Sequence, residues 1–444
     1  MATLRTAEDE IAHLMTLHPK GFDLSLDRVL GLLEKLGNPH LKLPPIIHIA
    51  GTNGKGSASA FSRALLEASG HIVHVHTSPH LVNWNERYRM GAKGGGKLVE
   101  DQVFADALRR VAKVNDGRHI TVFEILTAVG FLLFSEHPAD CVIMEVGLGG
   151  RFDATNVIPN PAVALIMPIS LDHEAYLGDR VELIAAEKAG IIKRGCPVVI
   201  GQQPENAARE VLEATADRNR CPVSVYGQDF HAREERGRMI YEDEDGLMDL
   251  PLPKLLGRHQ LANAAAAIRA VKDAGFPLPL DAVEKAMKNV SWPARMQRLD
   301  HGKLVAFAPK GSEIWLDGGH NPGAGVVIAE ALAEREDRHE RPLFMITGMI
   351  STKDATGYFK AFDDMVRHIF TVPVAMSDAG VPPEKLANMA LDAGLSAEPV
   401  ASVESALKLL GESWNGLEAA PRILIGGSLY LAGQVLAEND TPPE

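Results

Sequence analysis

The sequence is poor in cysteine and in positive charge, and each shortage excludes a class of protein. Three cysteines in 444 residues, without paired spacing, argue against a disulfide scaffold or a thiolate zinc site. A formal net charge of −13 makes general binding of nucleic acid or of an anionic membrane a poor expectation. A reducing cytoplasm is the simplest setting for such a chain.

Long hydrophobic runs are also missing. Residues Met1–Leu17 carry three acidic side chains and no continuous apolar core, unlike a secretory signal. The most apolar stretch, Ile120–Phe134, contains Glu124 and is too short to cross a bilayer comfortably, so we expect a buried helix there. The balance of 46% hydrophobic and 23% charged residues is typical of a globular protein.

What the chain does have is a regular alternation of strand and helix patterns. This alternation predicts an α/β fold with a mostly parallel sheet. The pattern restarts after a boundary near Trp292–His301. We therefore predict a large first domain, residues 1–297, followed by a smaller α/β domain, residues 298–444. The charged, proline-containing segment 226–253 predicts a β-rich excursion or an exposed hairpin.

The strongest local signal is a glycine-rich segment between an apolar strand, Ile46–Ala50, and a predicted helix. It comprises Gly51, Thr52, Asn53, Gly54, Lys55, Gly56 and Ser57. Such a turn lets backbone N–H groups approach phosphate oxygens at a helix N-terminus. Lys55 would neutralise the phosphates, and the Ser57 hydroxyl would lie near Mg²⁺. The segment departs from the common phosphate-loop pattern, because Gly56 separates Lys55 from Ser57. A kinase, an ATPase and an ATP-dependent ligase all remain possible at this point.

Polar residues follow two more predicted strands. Glu145 ends the apolar strand Cys141–Val146, where parallel α/β sheets place their ligand sites and where a carboxylate can hold Mg²⁺. His173 follows the strand Ala162–Ile169 and is a plausible second metal ligand. Lys188 lies on the next predicted helix, where a lone lysine is usually a solvated surface cation.

The combination of motifs resembles one family: the folylpolyglutamate synthases and bifunctional dihydrofolate synthase/folylpolyglutamate synthases, within the wider Mur ligase group. The matching segments run in order over almost the whole chain: Gly51–Ser57, Ser78–Leu81, Thr121–Glu124, Glu145–Asn156, Leu171–His173, Glu187–Gly190, Asn263, Pro293–Gln297 and Asp317–Pro322.

This resemblance implies a large P-loop-type ATPase domain, a smaller Rossmann-like domain and an active site in the cleft between them. The implied reaction joins L-glutamate to dihydropteroate and to the γ-carboxylate of folates. ATP phosphorylates the carboxylate, and the glutamate amine then attacks the acyl phosphate. The implied enzyme is a cytoplasmic monomer whose partners are small molecules.

The resemblance also assigns roles to residues. Ser78 and Glu145 match ligands of a first Mg²⁺, and His173 matches a ligand of a second. Lys188 matches a lysine that family members carry as a carbamate. The catalytic set is Lys55, Lys188 and His173, and the ATP contacts beyond the glycine-rich segment are Asn263, Arg295 and Asp317, with His320 adjacent.

A further group matches pterin-side substrate positions: Asp23, Leu24, Ser25, Thr121, Val122, Phe123, Glu124, Phe152, Asp153 and Ala154. Phe123 offers an aromatic face for a pterin ring, and Asp153 offers an acceptor for its amino groups. The chain departs from the family pattern at Val122, at Ala294 and at Gly319.

Three alternatives stay open. A synthase restricted to polyglutamylation shares most of the motifs. A Mur ligase with a UDP-linked substrate shares fold and chemistry, although Glu145–Asn156 argues against it. A non-catalytic P-loop NTPase is disfavoured by the motif Asp317–Pro322 in the second domain.

Overall fold

A computed structural model of the chain describes residues 7–16 and 25–444. Within these residues there are three sheets and fifteen α-helices. None of these helices is long and apolar enough to span a membrane.

The first sheet has eight strands in the order β4-β3-β2-β5-β1-β6-β7-β8. Its strands are β1 (Ile46–Ala50), β2 (Val73–His76), β3 (Tyr88–Met90), β4 (Lys97–Leu98), β5 (Cys141–Glu145), β6 (Val163–Ile166), β7 (Val198–Ile200) and β8 (Val223–Val225). Two pairs are antiparallel, β2 with β3 and β3 with β4, and the other pairs of this sheet are parallel. Every residue of β1 and β5 is buried, as expected for central strands of a parallel sheet with helices on both faces.

Ten helices accompany this sheet and the linker after it. They are α1 (Ala7–Met15), α2 (Asp27–Lys35), α3 (Lys55–Ala68), α4 (Asp101–Asn115), α5 (Val122–Glu136), α6 (Glu174–Leu177), α7 (Val181–Lys188), α8 (Asn206–Arg218), α9 (His259–Asp273) and α10 (Leu280–Asn289). The buried helix expected around Ile120–Phe134 is α5. It begins with a capping box, in which Thr121 Oγ1 accepts the N–H of Glu124 and the Glu124 carboxylate accepts the N–H of Thr121.

The segment predicted to be β-rich forms a separate antiparallel sheet of β9 (Phe230–Glu235), β10 (Arg238–Asp243) and β11 (Gly246–Pro251). This sheet packs on α9 and α10. Its acidic residues are paired rather than free, since Lys272 Nζ on α9 lies 2.5 Å from Asp243 Oδ2.

The second domain is built on six strands in the order β12-β13-β17-β14-β15-β16. They are β12 (Gln297–Leu299), β13 (Glu313–Leu316), β14 (Leu343–Thr347), β15 (Val366–Thr371), β16 (Ala397–Pro399) and β17 (Arg422–Gly426). Its helices are α11 (Pro322–Glu336), α12 (Ala355–Lys360), α13 (Pro383–Asp392), α14 (Val403–Ser413) and α15 (Leu429–Glu438). All pairs are parallel except β12 with β13.

The predicted fold class, a mostly parallel α/β domain followed by a smaller α/β domain, is confirmed. The second sheet begins at Gln297, because β12 already pairs with β13. The sequence-based boundary between residues 297 and 298 therefore cuts β12 one residue after its start.

Candidate active site

The glycine-rich segment connects β1 to α3 and leaves a helix N-terminus open. Gly54 has φ 81°, a left-handed conformation that favours glycine. The first bond within α3 runs from the N–H of Ala58 to the oxygen of Gly54 at 2.8 Å. The N–H groups of Lys55, Gly56 and Ser57 therefore lie in the first turn, where they have no partner within the helix and where the helix dipole favours an anion.

Lys55 folds back over this loop. Its Nζ donates to the main-chain oxygens of Gly51 at 3.0 Å and Thr52 at 3.4 Å. Its positive charge is thus held beside the open amides. This placement fits the role in phosphate binding that the sequence predicted.

Helix α9 packs against one side of the glycine-rich segment and bonds to it. The buried hydroxyl of Ser57 accepts a hydrogen bond from Gln260 Nε2 at 3.3 Å, and Asn263 Nδ2 donates to Gln260 Oε1 at 3.0 Å. Gln260 was not predicted from the sequence. Its spacing of three residues from Asn263 on one helix is the signal that would have found it.

Glu145 ends β5 deep in the site. It is 5% exposed, and the main-chain N–H of Ser78 lies near its carboxylate. Burial raises the pKa of Glu145 to about 7, although the positive charges of Lys55 and Arg295 oppose this shift. The carboxylate of Glu145 and the hydroxyl of Ser78 form the kind of hard oxygen donor set that Mg²⁺ prefers.

The described residues contain no group of three or more His, Cys, Asp or Glu side chains that would hold a metal ion by themselves. This fits a cation that also takes ligands from a nucleotide, because Mg²⁺ in phosphate-transfer sites uses one or two carboxylates plus phosphate oxygens and water.

Lys188 is not a surface cation. It is 4% exposed at the end of α7, and its Nζ donates to the main-chain oxygen of Gly51 at 3.0 Å. Burial and the nearby charge of Lys55 lower the pKa of Lys188 to about 7. A lysine amine that is partly neutral near physiological pH is able to react with carbon dioxide, as the resemblance implies.

His173 stands beside a polar cluster after β6. Its Nε2 lies 3.3 Å from Lys353 Nζ, and Lys353 Nζ lies 2.5 Å from Asp172 Oδ1. Burial, followed by the charge of Lys353, lowers the pKa of His173 to about 4, so the ring is neutral near pH 7. Lys353 was not predicted, because it lies between β14 and α12, far from every recognised motif.

The linker contributes Arg295 to the same place, and the second domain contributes Asp317 and His320. Asp317 follows β13, is 5% exposed, and accepts the N–H groups of Met296 at 2.8 Å and Gly319 at 2.7 Å. His320 Nε2 lies 3.3 Å from Asp172 Oδ2.

One cavity of about 1230 Å³ unites these residues. Its lining includes all the predicted catalytic, nucleotide and metal positions: Gly51, Thr52, Asn53, Gly54, Lys55, Gly56, Ser57, Ser78, Glu145, His173, Lys188, Asn263, Arg295, Asp317 and His320.

Among the described residues, the predicted pterin-side positions are not themselves part of that lining, although Phe123 and Asp153 contact its residues Gly147 and Leu148. Ser25, Thr121, Val122, Phe123, Glu124, Phe152, Asp153 and Ala154 line neither this cavity nor a second one of about 810 Å³. Asp23 and Leu24 lie outside the described residues.

Several pterin-side residues have structural partners. The ring of Phe123 packs so closely on Gly147 that a Cβ there would lie 2.3 Å from Phe123 Cζ. The Asp153 carboxylate accepts four hydrogen bonds, from the N–H groups of Gly147, Leu148 and Thr155 and from Thr155 Oγ1. In this arrangement Asp153 holds its own loop, so its expected role as an acceptor for pterin amino groups stays a prediction. Phe152 is 41% exposed and available for contact.

Comparisons with known proteins show the family to which the chain belongs. Residues 49–271 match the family model of the Mur ligase middle domain. The chain is 33% identical over 422 residues to the folylpolyglutamate synthase of Lacticaseibacillus casei, covering 92% of each chain. It is 33% identical over 358 residues to the dihydrofolate synthase/folylpolyglutamate synthase of Haemophilus influenzae, covering 79% of each.

Solved structures give the same result. A structure of E. coli FolC in complex with DHPP and ADP matches with a TM-score of 0.85 at 27% identity and covers 98% of both chains. Mycobacterium tuberculosis folylpolyglutamate synthase complexed with ADP and AMPPCP matches with a TM-score of 0.83 at 30% identity, over 98% of this chain and 100% of that one. The resemblance inferred from the motifs is confirmed: the chain belongs to the dihydrofolate synthase/folylpolyglutamate synthase family of ATP-dependent Mur ligases.

Proposed function

We propose that this chain adds L-glutamate to dihydropteroate, giving dihydrofolate, and to the γ-carboxylate of folates, in each case through an acyl phosphate. The observation that carries the proposal is the single cavity in which the helix N-terminus at Lys55 and the carboxylate of Glu145 meet Arg295 of the linker and Asp317 of the second domain. A nucleotide bound there contacts both domains. A ligase that transfers phosphate from one bound substrate to another requires such a shared site.

The chemistry follows from the charges. A carboxylate is a poor electrophile, and its approach to the γ-phosphate of ATP brings anions together. Lys55 and the amides of the α3 N-terminus bind the phosphates, and Arg295 adds a second cation from the linker. Mg²⁺ held by Glu145 and Ser78, with His173 at a second position, supplies charge neutralisation when bound.

Lys188 serves as an anionic group once it carries carbon dioxide. The neutral amine attacks the carbon of carbon dioxide, a C–N bond forms, and one proton leaves to solvent. The product is a carbamate whose oxygens suit a magnesium ion. The burial of Lys188 and its lowered pKa support this role.

Glutamate-dependent ADP formation tests the proposal. Purified chain is incubated with ATP, Mg²⁺ and bicarbonate, then with dihydropteroate plus glutamate, and separately with tetrahydrofolate plus glutamate. We expect turnover with both acids and none without glutamate. Turnover with tetrahydrofolate alone would restrict the activity to polyglutamylation. ADP formation that does not depend on glutamate, or that requires a UDP-muramoyl acid, would overturn the proposal.

The free thiols of Cys141, Cys196 and Cys221 support a reducing, cytoplasmic setting. We also propose a monomer that takes small-molecule substrates and does not bind nucleic acid, in keeping with the acidic net charge of −13. Light scattering of the purified chain at micromolar concentration tests the oligomeric state.

A further inference from the structure

The loop between β2 and β3 connects the metal-binding end of the candidate site to the second domain. At its start, Ser78 lines the nucleotide cavity together with Glu145, whose carboxylate lies near the main-chain N–H of Ser78. Three residues later, Leu81 is 7% exposed and packs in the hydrophobic cluster of the second domain. The same short loop therefore lies in both domains.

Hydrogen bonds make this loop rigid. The Glu86 carboxylate accepts the N–H groups of Leu81 at 2.7 Å, Val82 at 2.9 Å and Asn83 at 2.6 Å. Arg87 Nε donates to His80 Nδ1 at 3.0 Å. These bonds fix residues 80–83 to one short helical turn, so that Pro79 alone lies between the bonded residues and Ser78.

Helix α15 touches this loop through a glycine. A Cβ added to Gly433 would lie 1.9 Å from the main-chain oxygen of Leu81 and 2.7 Å from its carbonyl carbon. Only glycine allows this approach of two backbones. Glycine is otherwise unfavourable in the middle of a helix, so the contact explains why it stands there.

We propose that Leu81 and Gly433 are positioning residues through which the second domain sets the placement of Ser78 beside Glu145. Docking of α15 fixes Leu81, the rigid loop carries that position to Ser78, and the cation-binding end of the site is complete only when the domains are docked. The inference rests on the proposed nucleotide and magnesium site.

The test compares Leu81→Ala and Gly433→Ala with a matched control, Leu407→Ala. Leu407 lies on α14 in the same hydrophobic cluster and is fully buried, so its truncation removes the same side chain from the same core. The readout is the Mg²⁺ concentration at the midpoint of thermal stabilisation by AMPPNP. We expect Leu81→Ala and Gly433→Ala to raise this midpoint by at least about fivefold, the lower end of coupling between linked sites.

We expect Leu407→Ala to lower the melting temperature and to keep the wild-type midpoint. Leu81→Met, which restores the volume, should return the midpoint toward that of the wild type. If Gly433→Ala fails to fold, Leu81→Ala decides alone. A Leu81→Ala midpoint equal to that of Leu407→Ala would overturn the inference and leave the proposed function standing. A wild-type chain without Mg²⁺-dependent stabilisation by AMPPNP would overturn the proposed function and, with it, this inference.

Discussion

At the scale of single residues, two lysines share one acceptor. Lys55 Nζ and Lys188 Nζ each lie 3.0 Å from the main-chain oxygen of Gly51. Two ammonium groups so close in a buried site repel each other, and the more deeply buried Lys188 has the lowered pKa. Conversion of Lys188 to a carbamate would replace this repulsion by attraction to Lys55.

Replacement of Lys188 tests that conversion. We expect Lys188→Ala to lower the rate of ADP formation by about 100-fold or more, since it removes a group held at the reacting phosphates. Acetate or another short carboxylic acid should restore part of the activity by filling the space with a carboxylate. Lys193→Ala, which removes a partly buried lysine bonded to Asn156, is the matched control and should stay active. A fully active Lys188→Ala enzyme would contradict the assignment.

Replacement of Lys55 tests the phosphate site. We expect Lys55→Ala to lower turnover by about 10²–10³-fold, the usual loss when one electrostatic contact to a transition state is removed. The melting temperature should stay close to that of the wild type, because Lys55 bonds only to carbonyl groups of its own loop. The exposed Lys97 on β4 provides the control, and comparable activity of Lys55→Ala and Lys97→Ala would refute the phosphate-loop interpretation.

At the scale of elements, the first sheet carries three buried histidines, His48, His74 and His76, and burial lowers the pKa of each. His48 on β1 is 0% exposed and its Nε2 lies 2.9 Å from Thr155 Oγ1, and His76 on β2 is 1% exposed. Burial lowers the pKa of both rings to about 3. Each ring must therefore stay neutral for the sheet to keep its packing.

This burial predicts how stability depends on pH. In the unfolded chain His48 and His76 bind protons below pH about 6.5, whereas in the folded sheet they do so only below pH about 3. Protonation of the unfolded state therefore lowers the free energy of unfolding as pH falls from 6.5 toward 3, by about 2 kcal/mol per histidine at pH 5. Urea unfolding at pH 8, 6.5 and 5 measures this slope.

One variant isolates the contribution of the His48 ring to this pH dependence of stability. His48→Gln keeps a polar side chain near Thr155 and cannot titrate, so the loss between pH 8 and pH 5 should be smaller by about 2 kcal/mol. An identical slope in wild type and His48→Gln would show that His48 titrates normally in the fold.

The elements of the fold also show which parts of the site can be predicted from the sequence alone. Local patterns located the glycine-rich turn, the strand ending at Glu145 and the restart after residue 292, because each depends on neighbouring residues. Lys353, Gln260 and the contact of Leu81 with Gly433 depend on residues that are distant in the chain. A glycine in the middle of α15 was the one local hint of a close approach. The burial of Lys188 could not be predicted from the sequence either, because a lysine in a helix is usually exposed.

At the scale of the whole molecule, Asp172 is one of the points where the two domains meet. Its carboxylate accepts from Lys353 Nζ at 2.5 Å and from Asn321 Nδ2 at 3.1 Å, and it faces His320 Nε2 at 3.3 Å. Burial opposes the charge of Asp172, yet His320, Lys353 and His173 hold its pKa well below the usual range. One carboxylate of the first domain thus holds three side chains of the second.

A double-mutant cycle measures the strength of that junction. Asp172→Asn and Lys353→Met should each destabilise the chain by about 3–5 kcal/mol, because each leaves a buried charge without its partner. The double variant should lose less than the sum of the two, and the difference is read from urea unfolding. Strictly additive losses would mean that the pair contributes no interaction between the domains.

The linker also places a tryptophan against the glycine-rich segment. Trp292, one of four tryptophans in the chain, packs against Gly56 so closely that a Cβ there would lie 2.6 Å from the indole Nε1. Any rearrangement of the glycine-rich segment on nucleotide binding changes the surroundings of this indole. The protein therefore contains its own fluorescent probe: ATP binding should alter its intrinsic emission without any attached dye, and Trp292→Phe should remove that signal while the other three tryptophans still emit.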